Sequence, residues 1–393
     1  MTTEALAPPT TKSQALRSYD VADFPALTGL EEEWRFTPLK RLRGLATADG
    51  SAVAGKGVTL EYADLPAGVS VTQVDPADPA VAPVLLPFDR ISALAYGAAT
   101  QVSLIDVAAD AAPQAVPVLR FAGQGVDELS YGRTFVRVGR FATATLILEY
   151  VGSATLADNV EVSVADGAKL TLVTVADWAP DAVQAQHVKV KLGRDAKVIH
   201  VQVTLGGDLV RQFTSVEYTG RGGEAELYGL YYASELPADP AGGARPGQHL
   251  EHRQLVDHSV PDCRSYVGYR GALQGDGTHT VWVGDVVIRA EATGTNTYEI
   301  NRNLLLSDGA RADSVPNLEI ETGEVAGAGH ASATGRFDDE QLFYLMSRGI
   351  PEGEARKLVV RGFFAELINK IPVAELRERL GDAIEARLVG AGQ

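Results

Sequence analysis

The residue of this chain best suited to do chemistry is His330, set in Gly327-Ala328-Gly329-His330-Ala331-Ser332-Ala333. Neighbours this small leave an imidazole accessible or let a second backbone approach it, and a neutral imidazole is a competent transition-metal ligand. The plain alternative is a histidine hydrogen-bonded in a corner of the fold. A second group, His249, His252, His258 and Cys263, stands at successive offsets of 3, 6 and 5 residues. Those offsets match no zinc pattern, and two ligands from one helical turn do not suit a strand-rich stretch, so structural or hydrogen-bonding roles are expected. Asp262 beside Cys263 would raise its thiol pKa, which argues against a metal-binding thiolate. Asp308, Asp313, Glu319, Glu321 and Glu324 invite comparison with the acid and base of polysaccharide hydrolases. Solvated strand edges and turns account for them better, since acids are plentiful throughout the chain. No G-x-x-x-x-G-K-[ST] phosphate loop, G-x-S-x-G elbow or H-E-x-x-H motif occurs, so ATP chemistry would belong to a partner and the chain reads as non-catalytic.

A chain of 393 residues, 45% of them hydrophobic, has material for a large core and two or three domains. Its net charge of -16 opposes binding to a phosphate backbone, which needs a clustered positive field, so no nucleic-acid partner is expected. The single cysteine excludes an intrachain disulfide framework and suits a reducing compartment. The opening MTTEALAPPTTKSQALRS lacks the apolar core of a signal peptide. Apolar stretches such as Val81 to Phe88, interrupted by Pro83 and Pro87, fall far short of the roughly 20 residues that span a bilayer. The expectation is a cytoplasmic chain without membrane contact.

The pattern along the chain changes character several times. The first dozen residues read as a mobile tail, and Ser13 to Leu45, with Leu16, Phe24, Leu27, Leu30, Trp34 and Leu39, as short helices or a clasp laid on something larger. Between Ala46 and Val116, Val58 to Tyr62 and Val69 to Val74 are strand candidates, and ALAYGAATQVSLIDVA is open to helix or strand. From about Val118, short period-two runs turn at Gly, Asp and Asn. ADGAKLTLVTV, GRDAKVIHVQV and RGGEAELYGLY align, with Ala168, Ala196 and Ala225 at matching places 28 and 29 residues apart. Strands too short to bury a face alone, repeated at this spacing, favour stacked coils of a β-solenoid over a β-sandwich. Period alone would bury Leu172, Val281, Val283, Val287, Leu305, Leu318 and Ile320, or their alternates one residue over. Asp338 and Gln341 then form a helix-opening pair, and Gly349 closes that helix. Pro351 opens the next, with Ala355, Leu358, Val359, Gly362, Phe363 and Leu367 at helical spacing. Val373 to Leu388 reads as a final helix striped by Leu376, Leu380, Ile384 and Leu388. Such a helical end would protect the open edge of a solenoid.

The order Pro316-Asn317-Leu318-Glu319-Ile320, Gly329-His330-Ala331, Asp338-Asp339-Glu340-Gln341-Leu342-Phe343-Tyr344, Ser347-Arg348-Gly349-Ile350 resembles the SufB/SufD family, scaffold components of iron-sulfur cluster assembly. The Asn303-Leu304-Leu305-Leu306 stretch and the P-x-LEI strand before the histidine are more like SufD than SufB. The likeness is strong from about Leu250 to Pro372, including His258, Ser265, Arg270 and Gly271. Upstream, Glu33-Trp34-Arg35-Phe36-Thr37 is similar to the family's N-terminal tryptophan motif. Many relatives carry a cysteine just before the histidine, where this chain has Ala326-Gly327-Ala328-Gly329; SufB places another on the strand matching Asn301-Arg302-Asn303, where this chain has none.

The resemblance implies a mostly β fold: a right-handed parallel β-helix core over residues 118–336, an N-terminal mixed and helical region over 1–117, and a C-terminal helical subdomain over 337–393. It implies a non-catalytic subunit that pairs with SufB through the late coils. His330 would be the cluster-assembly candidate and a metal ligand shared with the partner subunit. No cofactor would be held stably, and an iron-sulfur cluster would be transient at the partner interface. The SufC ATPase, an ABC-type enzyme, would dock on Asp338 to Pro372, with Phe343, Tyr344, Arg348, Gly349 and Arg356 as candidate contacts. A homodimer would suit the isolated chain. The alternative from another class is a cytoplasmic carbohydrate-active β-helix enzyme, which needs converging carboxylates and an aromatic platform. The three tryptophans, Trp34, Trp178 and Trp282, are dispersed instead.

Overall fold

The structure is a computed structural model that describes residues 16–50, 57–238 and 245–390. The expected N-terminal tail lies outside the described residues. Two short strands, β1 (Val58–Tyr62) and β2 (Val69–Val74), precede helix α1 (Arg90–Ala98) and β3 (Val102–Val107), so the ambiguous ALAYGAATQVSLIDVA stretch is helix first and strand after. Asp89 caps α1 by accepting the Ile91 and Ser92 N–H groups.

Two long strands, β4 (Val118–Val138) and β5 (Thr143–Val164), start a parallel β-solenoid of about eight coils. The first half of β5 pairs with β6 (Lys169–Trp178) and its second half with β7 (Val183–Leu192), so one bent strand feeds two facing sheets. One sheet continues through β8 (Lys197–Thr204), β10 (Glu224–Ala233), β12 (Arg264–Leu273), β14 (Asn296–Leu305) and β16 (Gly327–Arg336). The other continues through β9 (Leu209–Tyr218), β11 (His249–His258), β13 (His279–Ile288) and β15 (Arg311–Ile320). Coils turn where the backbone can take positive φ: Gly167 at 67°, Asp195 at 52°, Gly222 at 74° and Asp262 at 59°. The corners stack as well, Asp166 accepting the Arg194 N–H of the next coil at 2.9 Å.

Between the sheets lies a continuous interior that includes Leu146, Leu170, Leu172, Val198, Leu227, Val267 and Trp282. Ala168 and Ala196 share register as the repeat suggested, but Ala225 stands opposite Val198. The equivalent of Ala196 is thus Gly223, and this coil spans 27 residues, not 29. An error of two keeps the side-chain parity, so the inward assignment survives it. On β13 the inward residues are Trp282, Val286 and Ile288, one over from Val281, Val283 and Val287, because both faces of that strand are buried.

Three helices follow: α2 (Asp339–Ser347), α3 (Glu352–Ile368) and α4 (Ala374–Gly390). Asp338 caps α2, accepting the Glu340 and Gln341 N–H groups. The helices do not cap the end of the solenoid. Helices α3 and α4 lie on the outer face of the β6-β8-β10-β12 sheet, where Val173, Val201, Tyr228 and Leu230 meet Val360, Phe364, Leu376 and Leu380, and α2 packs on α3. Consequently α3 buries Ala355, Val360, Phe364 and Leu367, while Leu358 on the expected stripe stays exposed. On the opposite flank, the N-terminal segment is a clasp: Trp34, Leu42 and Leu45 pack on Ala157, Val183, Ala185 and Leu209. The Arg211 guanidinium lies 3.7 Å over the Trp34 ring and donates to the Glu33 carbonyl, fixing the clasp to β9. Among the described residues no helix is long and apolar enough to cross a membrane.

Inward and corner positions should differ sharply in tolerance. Leu170 faces Ala144 and Val198 in the adjacent coils, so Leu170→Asp leaves a buried carboxylate without a partner and should lower unfolding free energy by about 4 kcal/mol or more. Asp166→Asn keeps the corner acceptor and should stay within about 1 kcal/mol of the parent. Urea titrations of the two variants check this; equal midpoints would contradict the inward placement.

Candidate functional site

His330 stands midway along β16 and is paired in register with Glu299 of β14, one coil earlier. Alternation places Ala328, His330, Ser332 and Thr334 on the interior side, above Thr297, Glu299, Asn301 and Asn303. Among the described residues no coil follows, so this side of β16 faces outward from an open end. The His330 side chain is 43% exposed while Glu299 beneath it is fully buried, and Nδ1 lies 3.8 Å from Glu299 Oε1. Space for the Glu299 carboxylate comes from Gly284 across the interior, where a Cβ would collide with Glu299 Oε2 and the Trp282 ring. The small residues around His330 have their own use: the Tyr298 ring lies against Gly329, 3.2 Å from where a Cβ would be.

Below the open end the interior is polar. Asn301 Nδ2 donates to Tyr231 OH at 2.9 Å, Tyr231 OH donates to Asn303 Oδ1 at 2.7 Å, and Asn303 Nδ2 donates to Asn301 Oδ1 at 2.7 Å. The Ser314 hydroxyl donates to that same Asn301 oxygen at 2.6 Å. The Tyr231 ring stacks on His252, whose Nε2 is 2.9 Å from Thr204 Oγ1. Thr204 continues to Gln212, Gln212 to Gln186, and Gln186 to Asp158 at 2.8, 3.2 and 2.8 Å. Burial pushes His252 down to about 3, so this column runs through a neutral imidazole.

The histidine and cysteine group does not converge. His252 and His258 point inward six residues apart on β11, His258 bonding Ser265 Oγ at 2.9 Å and stacking on Tyr218. His249 points to the other face, beside Glu251 and His279. Cys263 is buried at a corner with Sγ directed at the Gly220 and Pro261 carbonyls, and burial raises its thiol pKa, with Asp262 a smaller cause. The acids are separated too. Asp313 binds His279 and Arg311, Asp308 binds Arg336, and Glu321 lies 3.7 Å from Arg289.

On α2, Phe343 and Tyr344 are 74% and 56% exposed beside exposed Met346, while Leu342 is buried. Arg348 lies 5.1 Å over the Tyr344 ring, and Gly349 ends the helix with φ 85°. Arg356 does not join them: it pairs with Glu352 and lies 4.9 Å over Phe337, the residue that links β16 to α2. A groove of about 450 Å³ runs between the sheet and these helices, lined by Leu304, Arg336, Gln341, Leu358 and Phe363 among others. Glu299 escaped the sequence reading. The signal for it is the coil spacing, which places it 31 residues before His330.

Residues 121–363 match the SufBD core domain of the SUF system for iron-sulfur cluster assembly. Over 383 residues the chain is 51% identical to an iron-sulfur cluster assembly SufBD family protein of Mycobacterium bovis, covering 96% of this chain and 93% of that one. It is 36% identical to SufD of Bacillus subtilis over 133 residues, covering 34% of this chain and 30% of that one. With SufD of Escherichia coli it shares 27% identity over 232 residues, covering 59% and 52%. A solenoid whose core is matched end to end, joined to a relative half identical over nearly its whole length, places the chain in the SufB/SufD family of iron-sulfur cluster assembly proteins.

Proposed function

We propose that this chain is a non-catalytic, SufD-like scaffold subunit of a cytoplasmic SUF complex. It pairs with a SufB-like subunit through its open last coil and docks a SufC-like ABC-type ATPase on α2 and the start of α3. The observation that carries this reading is the unfinished end of the solenoid. Among the described residues β15 and β16 are each hydrogen-bonded on one side only, and His330 lies on one of them. Unpaired strand edges recruit strands from another chain, and in isolation the same edges suit a second copy of this one. Imidazole is a borderline-soft ligand, suited to holding a nascent iron-sulfur cluster as cargo together with thiolates from the partner. One histidine cannot hold a cluster alone, so the site is a shared one.

The ATPase contact rests on α2. Exposed Phe343, Tyr344 and Met346, next to the mixed charges of Glu340, Arg348 and Glu352, combine an aromatic anchor with a polar rim. ATP hydrolysis would then belong to the docked subunit.

Two measurements test the two surfaces separately. His330→Ala should leave melting and subunit assembly unchanged while cluster content of the complex reconstituted with SufB-like and SufC-like subunits falls severalfold. Native melting with full iron and sulfide content would remove His330 from this reading. Phe343→Glu combined with Tyr344→Ala should weaken ATPase binding by about 2 kcal/mol or more, as hot-spot aromatics do, without altering the solenoid. Unchanged affinity by calorimetry would move the dock elsewhere.

A further inference from the structure

We infer that Glu299 is the positioning residue for His330: its buried carboxylate holds the imidazole proton on Nδ1 and leaves the Nε2 lone pair free at the open end of the solenoid. The inference rests on the proposed function only for what Nε2 meets there. The choice of tautomer is a property of this chain alone.

The two residues are direct register partners on neighbouring coils, both on the interior side, and the contact to Glu299 is made by Nδ1. Their burial differs in a useful way. Glu299 is enclosed, with Gly284 beside its carboxylate, whereas His330 is half-exposed between Gly329 and Ala331. The present 3.8 Å exceeds hydrogen-bond range, and a small rotation of the freer ring toward the fixed carboxylate closes it. Contacts of this kind are commonly long before a partner arrives and tighten in the complex. Asn301 and Asn303 are engaged with each other, with Tyr231 and with Ser314.

The chemical effect follows from the two ring nitrogens being distinct. A neutral imidazole carries one proton, and left to itself it places that proton mainly on Nε2. A carboxylate beside Nδ1 reverses the preference, fixes the ring plane and raises the basicity of the other nitrogen. Partners of this sort behind a ligating histidine typically alter metal affinity by about 10- to 100-fold. Without Glu299 the accessible nitrogen of His330 would present a proton where a lone pair is needed.

The full-length chain labelled with ¹⁵N at histidine tests this by long-range ¹H–¹⁵N correlation, at a pH where the ring is neutral. With seven histidines in the chain, comparison with His330→Ala assigns the signal. We expect a protonated Nδ1 and a bare Nε2 in the parent, and a shift toward Nε2–H in Glu299→Leu, which removes the acceptor and leaves the ring its own preference. In the reconstituted complex, Glu299→Leu should lower cluster content by about tenfold with assembly unchanged. A parent spectrum with the proton on Nε2 overturns the inference without any variant, and it is also the result expected if Glu299 were protonated and donating. A tautomer indifferent to Glu299→Leu in a variant of native melting overturns it as well. The two readings fail differently. If His330→Ala retains full cluster content while the tautomer responds to Glu299, the positioning stands and the proposed function falls. If His330→Ala loses the cluster and Glu299→Leu keeps it, the positioning alone falls.

Discussion

In a parallel solenoid each strand's backbone N–H and C=O groups are satisfied by the coils on either side of it, and most of this molecule follows from that requirement. The two ends are treated differently. At the first, β1 pairs with the N-terminal half of β4 and β3 with its C-terminal half, so the opening edge is largely covered. At the last, β15 and β16 have no such cover among the described residues. Helices α3 and α4 lie along the flank, drawn there by an outer sheet face that carries Val173, Val201, Val203, Tyr228 and Leu230. Burying that apolar face outweighs hiding one pair of edges, which water or a partner chain can satisfy.

Much of the fold was readable because period-two strands and repeated corners are local signals. β1 and β2 fall where their alternation indicated, and Asp338 caps its helix as the residue type suggests. The failures share a cause, the loss of contrast between faces. On β13, Val281 and Val283 are as apolar as Trp282 and Val286, so alternation does not distinguish inside from outside. On α3, Leu358 and Phe363 sit beside Val360 and Phe364, and only the sheet they pack on selects between the two stripes. The site was half legible. His330 is marked by its small neighbours, whereas Glu299 becomes visible only when the coil length is added, since nothing near it in sequence sets it apart.

The polar column inside the solenoid limits how the coils can stack. Asn301, Asn303, Tyr231, His252, Thr204, Gln212, Gln186 and Asp158 are linked across neighbouring coils, and a shift of one residue in any coil would turn a hydrogen-bonding side chain out of the chain of contacts. An all-aliphatic interior would tolerate such a slip far better. The column thus links the register of the early coils to the height at which Glu299 and His330 meet.

Only Phe337 and Asp338 separate the last residue of β16 from the first of α2. Two residues, fully extended, span about 7 Å, and Phe337 is itself partly buried under Arg356 with its N–H bound to the Leu305 carbonyl. There is no slack in such a tether. A load that drags α2 farther than this reach must either tear it from α3 or be passed into β16 along the strand axis. Loaded that way, the ladder to β14 is strained in shear, all its hydrogen bonds sharing the force, and the edge strand bearing the imidazole moves as one piece.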